Sequence, residues 1–521
     1  MKNSTLFKPL RLWFFSVGFA LVGSLGDSFL YSGSTEWLLQ NLSKAVFLFI
    51  IRLFGCFIAA RVFLSLLQLD RKVPPKPAEK HTLLFAVIIG LCWLPYIFCT
   101  WPGSVSNDSN TQLRMIVGLI PLTADNPLFQ TLLISLFRRF GLWLGSIDIG
   151  IAGYCLLQSL LMLWLMGCII NELWIRTSAV LSLFVLVFFA INPIFPCYAF
   201  CIGKDTNFAM AVTWLMLILY RLIRHQKQSP LPLIIACLLC VLLRNAGAWI
   251  VFASLVAAVF YQLQKKADVR ALLLTLGTSL AIFCFAALGL PTILELQHAK
   301  PSENYSVPLQ QVARIAATNG LTQEESLLID DVLPVEKLAD VYQPELSDPV
   351  KNLWREGTTR KQQVNFFKGW LHAACRNPLT AFSATFHNAY GYLYPGYLHP
   401  AKPAFLVGNQ YGTQPMLEGE NAYTINPNGE TLKYRLNRLL QNPAARYLLM
   451  PGLYGSFAVL TFILSIRKKQ GLWISVLPAL LVLIGSLFSP VNGYVRYAMP
   501  LYLSAGVSIL CCADLWKKES R

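Results

Sequence analysis

Charged side chains are scarce in this chain: Asp, Glu, Lys and Arg account for 13% of its 521 residues, whereas hydrophobic residues account for 55%. A soluble domain typically carries about 25% charged residues. The mean hydropathy, +0.52, is correspondingly high. Because so few charges cannot cover the surface of a soluble protein of this length, most of the chain belongs in lipid.

The signatures of several other classes of protein are missing from the sequence. Thirteen cysteines are present, but most lie in apolar runs, where a free cysteine behaves as a small hydrophobe. None of their spacings is that of a zinc site. No segment alternates basic and aromatic residues as a nucleic-acid groove would, so the net charge of +17 does not indicate nucleic-acid binding. The first apolar run has no cleavable signal, and we expect it to stay as a helix.

Twelve apolar runs have about the length that a membrane-crossing helix needs. They predict an all-α polytopic membrane protein with about 12 transmembrane helices. One further apolar segment, 127–137, is too short to cross, and we predict it to be an amphipathic helix on the outer membrane surface. The twelve runs are 12–30, 43–67, 82–100, 148–170, 177–197, 206–222, 230–243, 246–262, 271–293, 445–466, 471–489 and 497–514.

The basic residues assign a side of the membrane to each loop. Acidic and basic residues nearly balance between 294 and 443, so the positive excess lies in short loops between apolar runs. Such loops are typical of the cytoplasmic side. The basic clusters at 221–227 and 265–270 must share that side, so the stretch between them crosses twice, with Arg244-Asn245 at its outer tip. This pattern predicts a multi-pass protein of the cytoplasmic (inner) membrane with both termini cytoplasmic.

This topology divides the chain into three regions. We predict an N-terminal transmembrane region, 1–293, whose first large extracytoplasmic loop is 101–147. An extracytoplasmic loop domain, 294–443, follows between spans 9 and 10, and a C-terminal transmembrane region, 444–521, ends the chain. Within the loop domain, helices are predicted at 307–319 and from Thr322, where acidic residues favour a helix start. After Tyr390 the chain is rich in Tyr, Gly and Pro, which predicts an ordered loop on the membrane surface.

A small set of polar residues collects at the predicted outer face. The first is Asp108, in a polar stretch directly after the third apolar run. A carboxylate just outside the hydrocarbon is costly to place there without a use, so Asp108 is a functional-site candidate. The other candidates are Gln112, Asp125, Asn126, Lys204, Asp205, Arg244, Arg496 and Tyr497.

The acidic candidates also have structural interpretations. Asp108, together with Ser109, could cap the helix that follows. Asp205 could pair with Lys204 or cap the next helix. Asp125 could be a turn residue before Asn126-Pro127. These alternatives stay open at the level of sequence.

The three basic candidates fall at outer ends of predicted spans. Lys204 and Arg496 could be interfacial anchors whose charged ends reach the surface. Arg244 is harder to explain in this way, because it lies between two short helices where an unused charge is expensive. A guanidinium suits phosphate because it donates two parallel hydrogen bonds.

These residues carry a resemblance to a known group of proteins. The chain resembles the bacterial membrane proteins of the DUF6020 family, which are similar to the GT-C superfamily of glycosyltransferases that use lipid-linked sugars. The motifs occur in order over nearly the whole chain. They are Trp101-Pro102-Gly103, Asn107-Asp108-Ser109 with Gln112, Asn126-Pro127 through Ile134, Gly203-Lys204-Asp205, Leu243-Arg244-Asn245, Pro308 through Arg314, Ser489-Pro490, and Arg496-Tyr497-Ala498-Met499-Pro500.

The resemblance implies a GT-C-like fold and an activity. It implies transfer of a sugar from a polyprenyl-phosphate-linked donor to a cell-envelope glycan acceptor on the extracytoplasmic face, with membrane lipid as surroundings and no nucleic acid. It also implies Asp108 as the acidic loop residue, which would serve as general base. The basic candidates would stabilise the charge of the departing phosphate.

One motif departs from the family pattern. A histidine is expected before the proline of the second motif, whereas this sequence has Asp125-Asn126-Pro127. That change puts acceptor choice or activity in question. No cofactor is required by the sequence; Asp108 and Asp125 could share a divalent metal, but two carboxylates of unknown geometry are weak grounds for a site.

Two other functions are compatible with the sequence. A transporter or flippase of lipid-linked glycans would suit twelve spans, but transporters commonly have repeated halves and interrupted helices that meet at mid-membrane. Here the charged residues gather at one face, which favours an interfacial enzyme. A polysaccharide polymerase or ligase would also use outer arginines, but it need not have an acidic residue in its first outer loop.

Overall fold

A computed structural model of the chain describes residues 7–69, 81–123, 126–224, 229–294, 296, 301–398, 427–440, 442–466 and 470–517. Within these ranges the protein is almost entirely α-helical. The regular strands of the described residues, β1 (Ser104–Val105) and β2 (Cys201–Ile202), have two residues each. The all-α polytopic fold predicted from the apolar runs is therefore confirmed.

Eight helices of the described chain are long and apolar enough to cross a membrane. They are α1 (Phe7–Ser32), α3 (Leu42–Leu69), α4 (Thr82–Thr100), α7 (Ile147–Arg176), α10 (Lys204–Ile223), α12 (Asn245–Gln264), the continuous helix that begins as α13 (Arg270–Cys284) and runs to Ile293, and α25 (Val495–Lys517). Helix α13 continues through a π-helical turn, Phe285–Gly289, into α14 (Leu290–Ile293).

Four shorter apolar helices fill the remaining predicted runs. They are α8 (Ala179–Ile191), α11 (Leu231–Leu243), α23 (Pro451–Ser465) and α24 (Trp473–Leu487). A helix of 13 residues, such as α8, is about 20 Å long, whereas the hydrocarbon core is about 30 Å thick. All twelve runs thus contain a helix, while the number of twelve crossings stays a prediction.

The other helices lie outside the predicted spans, except that α9 and α22 overlap the ends of two of them. They are α2 (Glu36–Gln40), α5 (Asn107–Ile116), α6 (Leu128–Trp143), α9 (Ile194–Ala199), α15 (Ser306–Thr318), α16 (Gln323–Ile329), α17 (Val335–Val341), α18 (Asp348–Lys351), α19 (Arg360–Arg376), α20 (Pro378–His387), α21 (Glu430–Leu440) and α22 (Pro443–Tyr447). Helix α6 is the predicted amphipathic helix, and it runs beyond Phe137 to Trp143. It buries Ile134 and leaves Leu132 exposed.

Helices α10 and α25 form the centre of the membrane region. Within the most apolar stretch of each helix, 78% of α10 and 94% of α25 is buried inside the protein, against 6% of α3. The two central helices are joined at both ends by ion pairs, Asp205 with Arg496 at one end and Arg224 with Asp514 at the other. Helix α3 is instead peripheral, and its apolar side chains face outward as lipid contacts would.

Residues 301–398, which belong to the predicted extracytoplasmic loop domain and which we therefore call the outer segment, contain helices α15 to α20. Their side chains form a separate apolar core that includes Leu309, Ile329 and Phe366. Helices α15 and α16 are present where the sequence predicted them. Helix α16 begins with a capping box, in which Thr322 and Glu325 exchange side-chain and backbone hydrogen bonds. The predicted loop-domain limits of 294 and 443 extend beyond this segment, partly over residues that the structure does not describe.

Candidate functional site

Two short strands bring the loop that follows α4 beside the start of α10. Strand β1 pairs in parallel with β2, with Ser104 opposite Cys201 and Val105 opposite Ile202. Helix α5 starts at Asn107, shortly after β1, and α10 starts at Lys204, shortly after β2. Because the strands run in the same direction, both helices begin at the same edge of the pair. This places Asp108 next to Lys204.

Asp108 is held between two cations. Its Oδ2 lies 2.8 Å from Lys204 Nζ, and its Oδ1 accepts a 3.2 Å hydrogen bond from Arg496 Nη1. The cap of α5 is Ser106, whose Oγ accepts a hydrogen bond from the backbone N–H of Ser109. The interpretation of Asp108 as the helix cap is therefore wrong.

Asp205 makes the second carboxylate of the site and contacts two arginines. Its Oδ2 lies 3.1 Å from Arg496 Nε, and its Oδ1 lies 3.3 Å from Arg244 Nη1. The N-cap of α10 is Gly203, without a side-chain hydrogen bond, so capping by Asp205 is excluded. Asp108, Lys204, Asp205, Arg244 and Arg496, which we call the ion cluster, thus come together from four separate parts of the sequence.

An aromatic ring packs against both arginines of the ion cluster. The guanidinium carbons of Arg244 and Arg496 each lie 4.9 Å from the centre of the Tyr497 ring. Arg496 Nη2 also donates a 3.1 Å hydrogen bond to the Tyr497 hydroxyl. Such cation–π contacts orient guanidinium groups without neutralising them. Tyr497 therefore sets the spacing of the two arginines.

Arg244 reaches the ion cluster from the tight junction between α11 and α12. Its backbone is extended, with φ −158° and ψ 133°, between the two helices. The junction depends on Gly247, because a Cβ there would lie 1.9 Å from the carbonyl oxygen of Cys240. The close approach of the two helices requires a residue without a side chain.

Two opposing effects act on the Asp108 carboxyl. Burial raises its pKa, but the Lys204 ammonium and the Arg496 guanidinium outweigh burial and hold the pKa well below the ordinary value of 3.8. Asp108 is therefore an ionised carboxylate at neutral pH. While both cations contact it, it is also a weak base, because their charges stabilise the ionised form.

The remaining predicted residues differ in how they relate to the ion cluster. Asn126 Oδ1 accepts a 2.7 Å hydrogen bond from Lys204 Nζ, so Asn126 contacts the cluster directly. Gln112 is fully buried, and its Nε2 donates to Thr131 Oγ1, which joins α5 to α6. Asp125 lies outside the described residues.

A polar network centred on Asn207 and Tyr154, which the sequence did not single out, lies one helical turn after Lys204. Asn207 Nδ2, on the next turn of α10, donates to the Tyr154 hydroxyl at 2.6 Å and to Gln130 Oε1 at 3.2 Å. Gln130 Nε2 also donates to the Tyr154 hydroxyl. These bonds tie α6, α7 and α10 together. The available signal was polar residues inside otherwise apolar helices, which usually have partners.

A second unpredicted residue, Gln158, fixes the strand that precedes Lys204. Its Nε2 lies within hydrogen-bond distance of the backbone oxygens of Tyr198, Ala199 and Cys201, at 3.1, 2.9 and 2.9 Å. Gln158 is buried in α7. It therefore anchors the segment leading into β2 and α10.

The ion cluster is a poor fit for a divalent metal. Both oxygens of Asp108 are paired with cations, and the oxygens of Asp205 face two arginines. In the part of the chain that the structure describes, no three His, Cys, Asp or Glu side chains group as a metal site would require. The residues present are instead suited to binding an anion.

Comparison with known proteins places the chain in a family. A family model, described as a family of unknown function (DUF6020), matches residues 118–521. The chain belongs to this family. The part matched by DUF6020 includes four members of the ion cluster and Tyr497, and it begins after Asp108. A comparison with curated proteins finds no match.

Two solved structures are also similar over most of the chain. Both are ArnT from Cupriavidus metallidurans, one in the apo state and one bound to undecaprenyl phosphate. The identities to this DUF6020 chain are 13% and 14%, the TM-scores are 0.28 and 0.27, and each alignment covers 84% of this chain and 78% of ArnT. TM-scores this low do not establish a common mechanism.

Proposed function

We propose that the protein is a GT-C-type membrane glycosyltransferase. It moves a sugar from a polyprenyl-phosphate-linked donor to a cell-envelope glycan acceptor on the extracytoplasmic face. Asp108 is the general base in this proposal. Lys204, Arg244 and Arg496 bind the donor phosphate, with Asp205, Asn126 and Tyr497 orienting them, and Gln112 and Asp125 complete the proposed substrate-binding residues.

The observation that carries the proposal is the convergence of the ion cluster. Lys204, Arg244 and Arg496 are distant in sequence, yet each lies within 3.3 Å of one of the two carboxylates. Interfacial anchors would not need to meet. Three cations around two carboxylates leave one net positive charge, which a phosphodiester can neutralise. Partly buried cations interact with a phosphate much more strongly than exposed ones do.

The position of the ion cluster along α10 supports the extracytoplasmic assignment. The cluster lies at the N-terminal end of α10, and Arg221 and Arg224 lie at its other end. A helix of 20 residues spans about 30 Å, which is close to the thickness of the hydrocarbon core. Because basic residues mark the cytoplasmic side, the cluster belongs to the opposite face.

The chemistry needs an exchange of partners within the ion cluster. When the donor phosphate binds, Lys204 and Arg496 share their hydrogen bonds between Asp108 and the phosphate oxygens. With its cations shared, the carboxylate becomes a stronger base. The acceptor hydroxyl oxygen then attacks the anomeric carbon as its proton passes to Asp108. The bond from that carbon to the phosphate oxygen breaks, and the phosphate leaves with the electron pair, stabilised by the cations.

The test compares the envelope glycans of cells that lack the protein with those of cells carrying wild-type or Asp108→Asn protein. Asn is nearly isosteric but accepts no proton, and we expect one glycan substituent to be missing with the variant, as in cells without the protein. Asp148→Asn is the matched control, because Asp148 is also an acidic residue in the first turn of a helix, α7. A full substituent level with Asp108→Asn at equal expression would exclude Asp108 as base.

The same variant separates the rival activities. A polymerase or ligase that uses only the arginines would keep activity in Asp108→Asn and lose it in Arg496→Ala. A transporter would show no sugar transfer in purified, reconstituted form with any variant. Loss of purified transfer activity in both variants is the outcome that the glycosyltransferase proposal requires.

A further inference from the structure

The loop that leads to Arg496 is held by residues of the outer segment. Residues 489–494, which we call the 489–494 loop, connect α24 to α25. Leu346 forms an antiparallel bridge with Val491, and the backbone N–H of Ser347 donates to the Pro490 oxygen at 2.8 Å. The backbone N–H of Asn492 donates to the backbone carbonyl oxygen of Glu345 at 2.9 Å. The outer segment thus contacts the loop along its backbone.

One hydroxyl lies at the centre of these contacts. The Tyr392 hydroxyl donates a 2.8 Å hydrogen bond to the Val491 oxygen. It accepts one from Ser489 Oγ at 3.0 Å and one from the backbone N–H of Tyr494 at 3.1 Å. Tyr392 is fully buried. Its hydroxyl therefore has all three partners that a phenol can take, and all three belong to the 489–494 loop.

The 489–494 loop passes this constraint on to the ion cluster. The guanidinium carbon of Arg496 lies 5.6 Å from the centre of the Tyr494 ring. The backbone carbonyl oxygen of Tyr494 accepts a hydrogen bond from the backbone N–H of Tyr497, and the ring of Tyr497 contacts Arg496 and Arg244. A shift of Tyr494 would therefore move the residues that orient both arginines.

We propose that Tyr392 is a positioning residue for Arg496, through which the outer segment sets the affinity of the ion cluster for a lipid phosphate. This inference rests on the proposed function, since it takes the cluster to be a phosphate site. Tyr392 itself touches no member of the cluster in the described contacts; it acts through Tyr494. The outer segment is thereby part of the machinery that prepares the site.

The test uses Tyr392→Phe in the full-length protein in lipid nanodiscs, with undecaprenyl phosphate as the probe. Phe keeps the buried ring and removes only the hydroxyl. Tyr502→Phe is the matched control, because Tyr502 is also fully buried and its hydroxyl donates to the backbone oxygen of Leu449, which is not part of the 489–494 loop. Asn388→Ala is a second variant that removes a bond to the same loop, because Asn388 Nδ2 donates to the backbone carbonyl oxygen of Ser489 at 2.7 Å.

Two readouts are measured for each variant. We expect hydrogen exchange of the backbone amides of residues 489–497 to be at least about tenfold faster in Tyr392→Phe and Asn388→Ala, because opening free energies track lost bonds. We expect undecaprenyl phosphate to bind about tenfold more weakly to both variants, with Tyr502→Phe unchanged in both readouts. In an Arg496→Ala background, Tyr392→Phe should cause no further loss of binding, because the two changes act on one interaction.

The outcomes separate this inference from the proposed function. Unchanged exchange in Tyr392→Phe, or faster exchange with unchanged binding, overturns the positioning role. Equal additional loss in the Arg496→Ala background also overturns it, since Tyr392 would then act independently of Arg496. If wild-type protein binds no undecaprenyl phosphate, the proposed phosphate site fails. In that case the exchange measurement alone decides whether Tyr392 holds the 489–494 loop.

Discussion

The guanidinium of Arg496 bridges Asp108 and Asp205, with Nη1 3.2 Å from Asp108 Oδ1 and Nε 3.1 Å from Asp205 Oδ2. One side chain at the start of α25 therefore connects α5 to α10. Only a planar group with several fixed donors can face two carboxylates in this way. The geometry makes Arg496 the residue whose replacement best tests how the ion cluster works.

Arg496→Lys keeps the positive charge but replaces the planar guanidinium, a fork of several N–H donors, with a single ammonium group. We expect it to lose one of the two carboxylate contacts and to reduce transfer, through a higher KM for the donor, by about 10- to 100-fold, the range of a charge-assisted hydrogen bond. The assay is steady-state transfer with purified protein. Arg139→Lys, an exposed position on α6, serves as control, and equal activity of both variants would show that the fork is not needed.

Lys204→Met should change the pH dependence of transfer. In wild-type protein, Lys204 and Arg496 hold the pKa of Asp108 below 3.8. The base therefore stays ionised, and kcat/KM should show no acid limb from this group above about pH 5. Without Lys204, burial raises the pKa, and an acid limb should appear at higher pH. Profiles of wild type and variant that superimpose after scaling would contradict the assigned charge coupling.

The junction at Gly247 offers a steric test of Arg244. We expect Gly247→Ala to push α11 and α12 apart, since the added Cβ would overlap the Cys240 carbonyl. The variant should lose about 1–3 kcal/mol of stability, as overpacking typically costs, and also transfer activity. Gly277→Ala is the matched control, because a Cβ at that helical position meets nothing within 4 Å. Thermal unfolding and transfer are measured together, and wild-type activity in Gly247→Ala would remove the need for the tight junction.

The outer segment should lose stability in acid through Glu325. Arg376 donates a hydrogen bond to the Glu325 carboxylate, and so does the backbone N–H of Thr322. Together these bonds lower the pKa of Glu325 from 4.5 to about 2. A lowered pKa in the folded state means stability that is fully present above 4.5 and is lost as pH falls towards 2. Melting curves between these values should show this loss in wild type. Glu325→Gln should be less stable at neutral pH and show a flatter acid dependence; identical slopes would argue against the assignment.

The sequence was sufficient to predict which charges lie together but not how they pair. Asp108, Lys204, Arg244 and Arg496 were identifiable because each interrupts an apolar pattern at the outer end of a run. Their pairing depends on how distant helices pack: Asp108 and Arg496, for example, are 388 residues apart in the sequence. No local sequence pattern encodes this packing. The role of Asp205 shows the difference, since its partners are one arginine at the junction of α11 and α12 and one in α25, and not the end of its own helix.

Buried supporting residues were the least predictable part of the site. Tyr392 falls in a segment rich in Tyr, Gly and Pro that predicted only an ordered surface loop. Gln158 looks like a polar residue in an apolar helix, and Asn207 looks like the end of the polar run Lys204-Asp205-Thr206-Asn207. Each of the three gains its role from backbone or side-chain partners that only the fold brings within reach. Helix propensity and hydropathy, by contrast, identified all twelve apolar runs as helical, because burial in lipid makes the period and length of each run decisive.

The single net positive charge of the ion cluster has a consequence for turnover. In the proposed reaction the donor phosphate is a diester with one negative charge, whereas the released lipid phosphate is a monoester with a charge of about −1.5 to −2 at neutral pH. The same three cations would hold the spent carrier more tightly than the incoming donor. We therefore expect departure of the carrier lipid to limit the rate, and added undecaprenyl phosphate to act as a competitive inhibitor. A burst of the first product before the steady state would be its kinetic sign.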